Sequence, residues 1–486
     1  MTDILFAHSY FLRLDPKQWR NGLPYPPLGT LYAAALMRAH GYRVTLFDSM
    51  CSLGPDEIAA PLRASHPDFF ILFDDGFNYL TKMCLTNMRE AAFSMIRQAA
   101  AFDCRIIVCS SDAADHYDRY LEAGADFAII GEGEQTLLEL VEALERDIKD
   151  FSVVQGIAYL SEGSIVRTAP RPLMRDLDSL PLPAWDLLNM RAYRDAWMPV
   201  KGYFSVNMAT TRGCPFKCNW CAKPIYGNRY HSRSPENVLM EIKTLAEQVP
   251  FDHIWFCDDI FGLKPGWVKS FADLTEQAGM RLRFKIQSRA DLLVQENYVR
   301  DLARAGCETV WMGAESGSQK ILDAMDKGTT IRQIREATVL LKRYGIKPAF
   351  FIQFGYPGET WEDIALTIRL INEMLPHEIG ISISYPLPGT PFYERVRAEM
   401  SEKSNWTDSD ELKLMFRNTF PAAFYKQLHR YVHKSYRQHL ALESVRRLAE
   451  GFSMKDFKKA ASLAYYLPAA FLSGRRLRHL ETEGLS

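Results

Sequence analysis

The chain has 486 residues, of which 47% are hydrophobic and 24% charged, and its formal net charge is −1. This length exceeds what one hydrophobic core normally supports, so we expect two or three domains. The near-neutral charge lacks the basic footprint of nucleic-acid binding, and no apolar run reaches the ~18 residues of a membrane-spanning helix. Nine cysteines and no signal-peptide pattern at the first residues predict reduced thiols and a cytoplasmic protein.

The first 150 residues alternate short apolar runs with helical patterns, which predicts a doubly wound parallel sheet covered on both faces. Ligands of such sheets bind beyond the carboxyl ends of the strands. The predicted strands are 4–9, 43–49, 69–75, 105–111 and 126–134, and the predicted helices are 28–40, 82–101 and 134–147. The polar or glycine-bearing loops at the strand ends contain Ser9, Tyr10, Asp74, Asp75, Gly76, Ser110, Ser111, Asp112, Gly131, Glu132, Gly133 and Glu134.

Residues 151–199 are predicted to be a hairpin and a linker. GIAYLSEGSIVRT (156–168) is typical of a hairpin that turns at Glu162-Gly163, and DLDSLPLPAWDLL (176–188) is a proline-bearing connector. We therefore predict a first domain at 1–150 and a second at 200–400.

The second domain shows six further β/α units, which predicts a partial (β/α)6 barrel open on one side. Function gathers at the carboxyl ends of the strands in such barrels. The residues that follow the six strands are Cys214, Asp258, Asp259, Gln287, Arg289, Glu315, Ser316, Gly355, Tyr356, Pro357, Tyr385 and Gly389. Helices are predicted at 235–248, 266–278, 296–305, 318–325, 331–344 and 361–374.

Residues 401–486 are predicted to form a helical extension. Its segment KKAASLAYYLPAAFLSGRRLR (458–478) has an apolar middle between basic ends and is too short to span a bilayer. A helix packed on the barrel explains the pattern, and an interfacial membrane contact is the alternative.

The segment RGCPFKCNWCAKP (212–224) places Cys214, Cys218 and Cys221 within eight positions. A structural zinc site needs four ligands, and His231, ten residues past Cys221, is the only nearby candidate. Buried inert thiols are a second alternative. A [4Fe–4S] cluster explains the missing ligand better, because three thiolates leave one iron open for a substrate or cofactor.

The C-x3-C-x2-C spacing, with Trp220 before the third cysteine, resembles the radical S-adenosylmethionine (SAM) superfamily. Further segments resemble its cobalamin-binding branch, over about residues 1 to 400. These are GAESGS (313–318), GYPGET (355–360), PLPGTPFYE (386–394), GEGE (131–134), PPLGTLYAAALMRAHGY (26–42) and the proline-bearing connector. The resemblance implies an N-terminal Rossmann-like cobalamin-binding domain followed by a radical SAM barrel.

The resemblance also implies an enzyme that uses a [4Fe–4S] cluster, SAM and cobalamin. Cleavage of SAM would give a 5′-deoxyadenosyl radical, which removes hydrogen from an unactivated carbon of a small molecule or natural product. A methyl group from methylcobalamin would then be added, or a ring closed, as in the anaerobic magnesium-protoporphyrin ester cyclase. An electron donor such as flavodoxin or ferredoxin is the expected partner. The substrate and the oligomeric state stay open.

The family's cofactor contacts map onto residues at the strand ends. For SAM, Glu315 and Ser316 would hold polar groups, Gln287 and Arg289 the carboxylate or ribose, Asp258 and Asp259 the amino group, and Trp220 and Tyr356 the adenine. For cobalamin, the expected residues are Ser9, Tyr10, Asp74, Ser110, Ser111, Gly131, Glu132 and Gly133. The alternatives are an ion pair for Glu315 and Arg289, a cation site or helix cap for the paired aspartates, and a tight turn for GEGE.

One segment departs from the branch, because CSSDAADH (109–116) stands where a Gly-Gly-x-His stretch is usual. It supports a second reading, in which the enzyme lacks cobalamin and its first domain is a substrate or partner module. A zinc-stabilised binding protein is a third. A tRNA methylthiotransferase is a fourth, but Cys51, Cys84, Cys104 and Cys109 lack the spacing of a second cluster. The chain also lacks the D-x-H-x-x-G signature, so a cobalamin without a protein histidine on its lower face is expected.

Overall fold

A computed structural model describes residues 2–77, 79–221, 225–400, 405–409, 411 and 413–483. The chain divides into two compact units. The first contains Met1–Pro215, Ala222–Ile286 and Asn405–Glu411, and the second contains Phe216–Cys221, Gln287–Ser404 and Leu412–Ser486. The domain boundaries at 150, 200 and 400 stay a prediction.

The first unit contains a seven-stranded sheet. Its strands are β1 (Asp3–Ala7), β2 (Arg43–Phe47), β3 (Phe69–Phe73), β4 (Arg105–Cys109), β5 (Phe127–Ile129), β6 (Ile157–Ser161) and β7 (Ser164–Arg167). Their order in the sheet is β2-β1-β3-β4-β5-β6-β7. Strands β1 to β5 are parallel, and β6 and β7 are the predicted hairpin, paired antiparallel. The chain order reverses between β1 and β3, and this switch point is where doubly wound sheets bind ligands.

Helices cover both faces of this sheet, as predicted. They are α1 (Pro16–Asn21), α2 (Leu28–Ala39), α3 (Ala59–Ser65), α4 (Tyr79–Lys82), α5 (Thr86–Ala99), α6 (Ser111–Asp115), α7 (Tyr117–Glu122) and α8 (Glu134–Glu145). Successive strand residues alternate between two cores. Ile4 and Phe6 pack with α2 and α8, and Leu5 and Ala7 pack with α3 and α5. The predicted doubly wound sheet is thereby confirmed.

A helix that the sequence analysis did not predict, α9 (Met190–Lys201), follows the connector. The next strands are β8 (Ser205–Met208), β9 (Thr211–Arg212), β10 (His231–Ser232), β11 (His253–Phe256), β12 (Phe284–Ser288), β13 (Cys307–Glu315), β14 (Lys347–Phe354) and β15 (Glu378–Ile383). Six of them form one curled sheet in the order β15-β14-β13-β12-β11-β8, and β9 pairs with β10. The boundary between the two units falls inside β12.

Each strand of the curled sheet follows its neighbour in chain order, with helices between, which confirms the partial barrel. The helices are α10 (Pro235–Gln248), α11 (Trp267–Gln277), α12 (Ala290–Leu293), α13 (Glu296–Ala305), α14 (Gln319–Ala324), α15 (Ile331–Arg343), α16 (Trp361–Met374) and α17 (Pro391–Val396). Parallel strands joined by crossover helices bring their carboxyl ends to one edge of the sheet. The residues that follow the six strands therefore lie where barrel enzymes place their active sites.

The helical extension is also confirmed. It contains the long helix α18 (Ala422–Glu450), the short helix α19 (Met454–Ala461) and α20 (Leu463–Glu483). Within the described part of the chain, every helix is too short or too polar to cross a membrane.

Candidate functional site

The three cysteines follow strand β9, in a segment divided between the two units. Cys214 is buried in the first unit, whereas Cys218 and Cys221 are half-buried in the second. Gly213 adopts φ +77°, and a Cβ at this position would lie 2.2 Å from the Arg229 carbonyl oxygen, so only glycine fits before Cys214.

None of the nine cysteines forms a disulfide, so the three cysteines of the segment have free thiols. In the described ranges, no three His, Cys, Asp or Glu side chains converge as the ligands of a single metal ion would. Three cysteine thiols close together in the chain are the donor type that a [4Fe–4S] cluster takes.

Asp258 fixes the turn that leads into the cysteine segment. Its carboxylate accepts hydrogen bonds from the Thr210 amide (2.7 Å), the Thr210 hydroxyl (2.7 Å) and the Thr211 amide (2.8 Å). Burial raises the pKa of Asp258 to about 6. The neighbouring Asp259 is exposed and pairs with Lys82 at 3.1 Å. The two aspartates therefore have different environments, and Asp258 shapes the backbone before Cys214.

Arg212, two residues before Cys214, forms a buried ion pair with both glutamates of GEGE. Its Nη2 lies 2.6 Å from Oε1 of Glu134, and its Nη1 also bonds Glu132. Arg212, Glu132 and Glu134 are all less than 10% exposed. Strand β9, which precedes the first cysteine, is thereby tied to the N-terminus of α8. This contact within the first unit was not predicted.

Arg289 lies beside the second cysteine in the second unit. Its Nη1 is 3.9 Å from the Cys218 sulfur, and its guanidinium lies 3.6 Å from the centroid of the Phe216 ring. Bonds to Asp291 (3.0 Å) and to the Lys327 carbonyl (2.9 Å) hold the guanidinium in place. The positive charge of Arg289 is therefore held in a fixed position beside the second cysteine.

Glu315 pairs with Lys327 rather than with Arg289. The Lys327 ammonium donates to Glu315 Oε1 at 2.7 Å, and both side chains are buried. Burial acts to lower the pKa of Lys327, but Glu315 and Cys218 outweigh it and raise this pKa. The alternative of an ion pair between Glu315 and Arg289 is therefore wrong, because Glu315 pairs with Lys327 and Arg289 pairs with Asp291. Sequence reasoning missed Lys327.

The backbone around Glu315 is shaped for this pair. Glu315 has φ +57°, a conformation that non-glycine residues rarely adopt, and the pairing of β13 with β14 shifts register there. A Cβ on Gly313 would lie 2.6 Å from the Lys327 ammonium, and one on Gly317 would lie 2.4 Å from the Leu366 carbonyl oxygen. Both glycines of the GAESGS motif therefore make room for close packing.

The Ser316 hydroxyl is used within its own loop. It bonds the Thr367 hydroxyl at 3.1 Å and accepts from the Ser318 amide at 3.1 Å. Ser316 is completely buried. Gln287 is half-buried on β12. Neither position tests the predicted SAM contacts.

Tyr356 braces the cysteine segment. Its hydroxyl donates to Asn219 Oδ1 at 2.7 Å, and its ring stacks on Phe392 at 5.3 Å. The Asn219 amide also donates to the Ala324 carbonyl and to Asp326, each at 2.8 Å. Tyr356 is fully buried, and its bond to Asn219 supports the cysteine segment. Asn219 is a second residue that sequence reasoning missed, because its partners lie more than 100 positions away.

Several buried polar atoms near Arg289 and Lys327 lack a hydrogen-bond partner among the described residues. The indole nitrogen of Trp220 is one, and Trp220 lies 5.9 Å from the Lys327 ammonium. The hydroxyls of Ser288, next to Arg289, and of Thr329, two residues after Lys327, are the others. Buried donors and acceptors of this kind are usually satisfied, so they favour a polar ligand at this end of the barrel.

In the first unit, the structure brings Ser9 and Asp74 together at the switch point. Asp74 accepts from the Ser9 amide (2.6 Å) and hydroxyl (2.8 Å), and burial raises its pKa. Ser110 caps α6 by accepting from the Ala113 amide at 2.8 Å. The buried Ser111 hydroxyl lacks a partner within the described segments. Tyr10 is buried, and its ring lies 5.7 Å from that of Tyr25.

The two glycines of GEGE have different surroundings. Gly131 has φ +95° and open space where a Cβ would be. At Gly133 a Cβ would lie 2.5 Å from the Cys109 sulfur and 2.8 Å from the Phe73 ring. Gly133 therefore serves internal packing, whereas the space beside Gly131 is open to a ligand.

Several known proteins are similar to this chain in sequence. Residues 208–371 match the model of the radical SAM superfamily. An uncharacterized methyltransferase from Pyrococcus horikoshii is 28% identical over 379 residues, which cover 77% of this chain and 79% of that protein. An anaerobic magnesium-protoporphyrin IX monomethyl ester cyclase from Rubrivivax gelatinosus is 26% identical over 381 residues, covering 76% and 66%.

The fold is shared with a solved structure. OxsB, a cobalamin-dependent S-adenosylmethionine radical enzyme whose structure contains aqua-cobalamin and S-adenosylmethionine, superposes with a TM-score of 0.74. The superposition covers 97% of this chain and 72% of OxsB, at 16% identity. This likeness concerns the fold, from the Rossmann-like sheet to the helical extension.

The buried ion pair of Arg212 generates a stability prediction. Arg212→Gln leaves two carboxylates buried without their cation, and we expect it to lower the free energy of unfolding by about 3–5 kcal/mol. Equilibrium urea unfolding followed by circular dichroism measures this change. The matched control is Arg38→Gln, which removes an exposed pair with Asp186 and should cost at most about 1 kcal/mol. Equal effects of the two substitutions would show that the Arg212 pair is not a structural anchor.

Proposed function

The chain carries a radical SAM domain and is homologous to methyltransferases and an oxidative cyclase, and from this premise we propose that it uses a [4Fe–4S] cluster, SAM and cobalamin to methylate or cyclise an unactivated carbon. The observation that carries the proposal is the contact between the Arg289 guanidinium and the sulfur of Cys218, the second cysteine of the C-x3-C-x2-C segment. When bound, these cofactors supply a 5′-deoxyadenosyl radical and a transferable methyl group. The substrate is a small molecule.

The chain's own residues would hold the cluster and tune its ligands. Cys214, Cys218 and Cys221 would bind three irons and leave the fourth for SAM. Asp258 and Arg212 fix the approach to Cys214, and Arg289 holds a positive charge beside the Cys218 sulfur. Because these supports are buried, they position the sulfurs without solvent competing for them.

The cluster proposal is tested by single substitutions of the three cysteines. Each Cys→Ala variant, reconstituted anaerobically, should bind well below the ~4 irons per chain expected of the wild type and should give no 5′-deoxyadenosine from SAM. Iron analysis and chromatography of the products measure both effects. Cys51→Ser, at an exposed cysteine, is the matched control and should behave as wild type. Wild-type product formation by Cys218→Ala would contradict the assignment.

We propose that SAM is held by the end of the barrel where Glu315, Lys327 and Arg289 meet. Two opposite charges held as a buried pair can bind the amino and carboxylate groups of an amino acid. The Trp220 indole and the Ser288 and Thr329 hydroxyls, which lack partners in the described chain, are the polar groups that such a ligand would satisfy. Ser316 and Tyr356 would act by supporting this site, and Gln287 and Asp259 stay predicted contacts.

A double variant distinguishes an effect on SAM binding from an effect on stability alone. Glu315→Gln leaves Lys327 unpaired, so it should weaken SAM binding and also lower stability. Adding Lys327→Met removes the unpaired charge and should restore stability, but SAM affinity should stay lower by about 1.5–3 kcal/mol for each lost charged hydrogen bond. Calorimetric titration of the iron-loaded variants measures the affinity, and unfolding measures stability. If the double variant binds SAM as the wild type does, the pair is structural only.

We propose cobalamin binding at the switch point of the first sheet. Ser9, Asp74, Ser110 and Ser111 lie at the carboxyl ends of adjacent strands, and Tyr10 follows Ser9. The unpartnered Ser111 hydroxyl and the open space beside Gly131 would suit the nucleotide tail of the cofactor. Glu132 would not contact cobalamin directly, because Arg212 occupies its carboxylate. Gly133 would contribute by allowing its loop to pack closely.

Reconstitution tests this proposal and its alternative. We expect the protein to retain cobalamin, and the Co(II) form to show no nitrogen superhyperfine splitting in electron paramagnetic resonance, because no histidine ligand is predicted. Gly131→Val, which fills the open space, should lower retention. The control Gly41→Val, between α2 and β2, also fills open space at a glycine with a positive φ of +89°, so it introduces the same backbone strain elsewhere.

Failure to retain any cobalamin would favour the second candidate, a radical SAM enzyme whose first domain binds substrate or a partner. One observation favours that candidate. The Asp112 carboxylate of the unusual CSSDAADH segment pairs with the buried Arg89 and accepts a hydrogen bond from the Tyr120 hydroxyl, so it is already occupied by protein groups. We further propose a flavodoxin or ferredoxin as electron donor, since cleavage of SAM consumes one electron.

A further inference from the structure

The last two helices carry their large apolar side chains on the outside. Phe471 and Leu472 of α20 are each 63% exposed, Tyr465 is 64% exposed and Leu467 is 53% exposed. At 3.6 residues per turn, Leu467 and Phe471 lie at one edge of the exposed half of the helix, and Tyr465 and Leu472 lie at the other. The exposed Ala464 and Pro468 lie between them, and we call these six residues the apolar stripe. A surface helix of a soluble protein normally turns such a stripe inward.

The inner face of α20 is already occupied. Ala470, Ser473 and Leu477 are buried, and the Gln427 amide of α18 donates to the Ser473 carbonyl at 2.9 Å. A Cβ on Gly474 would lie 3.0 Å from the Tyr431 ring of α18. Small residues therefore make the contact with α18, and the helix cannot turn its apolar stripe inward without losing this packing.

Helix α19 also carries large apolar side chains that are exposed. Met454 and Phe457 are 58% and 51% exposed, and Phe452, just before the helix, is 74% exposed. Only Ser462 separates α19 from α20. The two neighbouring helices and the residues just before them thus present seven exposed large apolar side chains, which are Phe452, Met454, Phe457, Tyr465, Leu467, Phe471 and Leu472.

The exposed charges of the two helices are mostly basic. Between Gly451 and Glu481, the exposed side chains with a permanent charge are Lys455, Lys458, Lys459, Arg475, Arg476 and Arg478. The exposed Glu450, the last residue of α18, borders this stretch. The acidic residues of the same stretch are half-buried, and Asp456 pairs with Arg447 at 3.4 Å. A basic rim around an apolar stripe complements a bilayer that contains anionic lipids.

We propose that α19 and α20 form a docking surface for an anionic bilayer, with the apolar stripe in the headgroup region and the basic residues at the lipid phosphates. This surface lies outside the proposed cofactor sites, so the inference is independent of the chemistry. The helices would lie on the membrane rather than cross it, in agreement with their charge content.

The test is co-sedimentation of the full-length protein with phosphatidylcholine vesicles, with and without phosphatidylglycerol. We expect binding to the anionic vesicles that falls as salt is raised. Phe471→Ser with Leu472→Ser should reduce binding by about tenfold or more. Arg475→Gln with Arg476→Gln should reduce binding to the anionic vesicles by about fivefold for each charge removed. Both pairs are exposed, and circular dichroism verifies that each variant is folded.

The matched control is Met240→Ser with Val339→Ser, which removes two side chains of similar exposure, 50% and 52%, from other helices. It should bind as the wild type does. No binding of the wild type, or equal binding by all variants, would overturn the proposal. Concentration-dependent dimerisation that Phe471→Ser with Leu472→Ser abolishes, without vesicle binding, would overturn it in favour of a second copy of this chain.

Discussion

The cysteine segment depends on buried ion pairs that hold its flanks. Arg212 precedes the first cysteine by two residues and bonds both glutamates at the start of α8, so the strand end has a fixed position within the first unit. Removing three charged groups from water costs several kcal/mol each, and only their mutual contacts offset that cost. Such an arrangement tolerates few alternative positions of the backbone, which is what a segment that must present thiolates requires.

The second unit uses the same principle with different partners. Arg289 is held by Asp291 and by the Lys327 carbonyl, and Lys327 in turn is held by Glu315, so one network links the Cys218 sulfur to the end of β13. This geometry requires a left-handed backbone conformation at Glu315, which is unfavourable for a non-glycine residue. Strain of about 1–3 kcal/mol persists only where surrounding contacts enforce it, and such positions are typical of functional sites.

The regular elements of both units could be predicted from the sequence, because hydrophobic periodicity encodes them. Helix α10 was predicted at 235–248 and found at Pro235–Gln248, and the hairpin turn at Glu162-Gly163 was placed correctly. The missed helix α9 lies between the cap residues Asn189 and Gly202, beside a proline-rich stretch that favoured a linker. The contacts within the site were not predictable in the same way. Arg212 and Glu134 lie 78 positions apart, and a lysine in a loop, such as Lys327, gives no sign that it will be buried.

The glycines of the recognisable motifs affect how sequence similarity is interpreted. Gly133, Gly313 and Gly317 lack a side chain because a sulfur, an ammonium group or a carbonyl oxygen occupies the space that a Cβ would need. Sequence similarity at these glycines therefore reflects the close packing that the fold requires. A relative that had lost its cofactors would still match, as long as it kept the fold. Under the proposed function, the residues that would distinguish an active relative from an inactive one are the three cysteines of the C-x3-C-x2-C segment, Arg289 and Lys327.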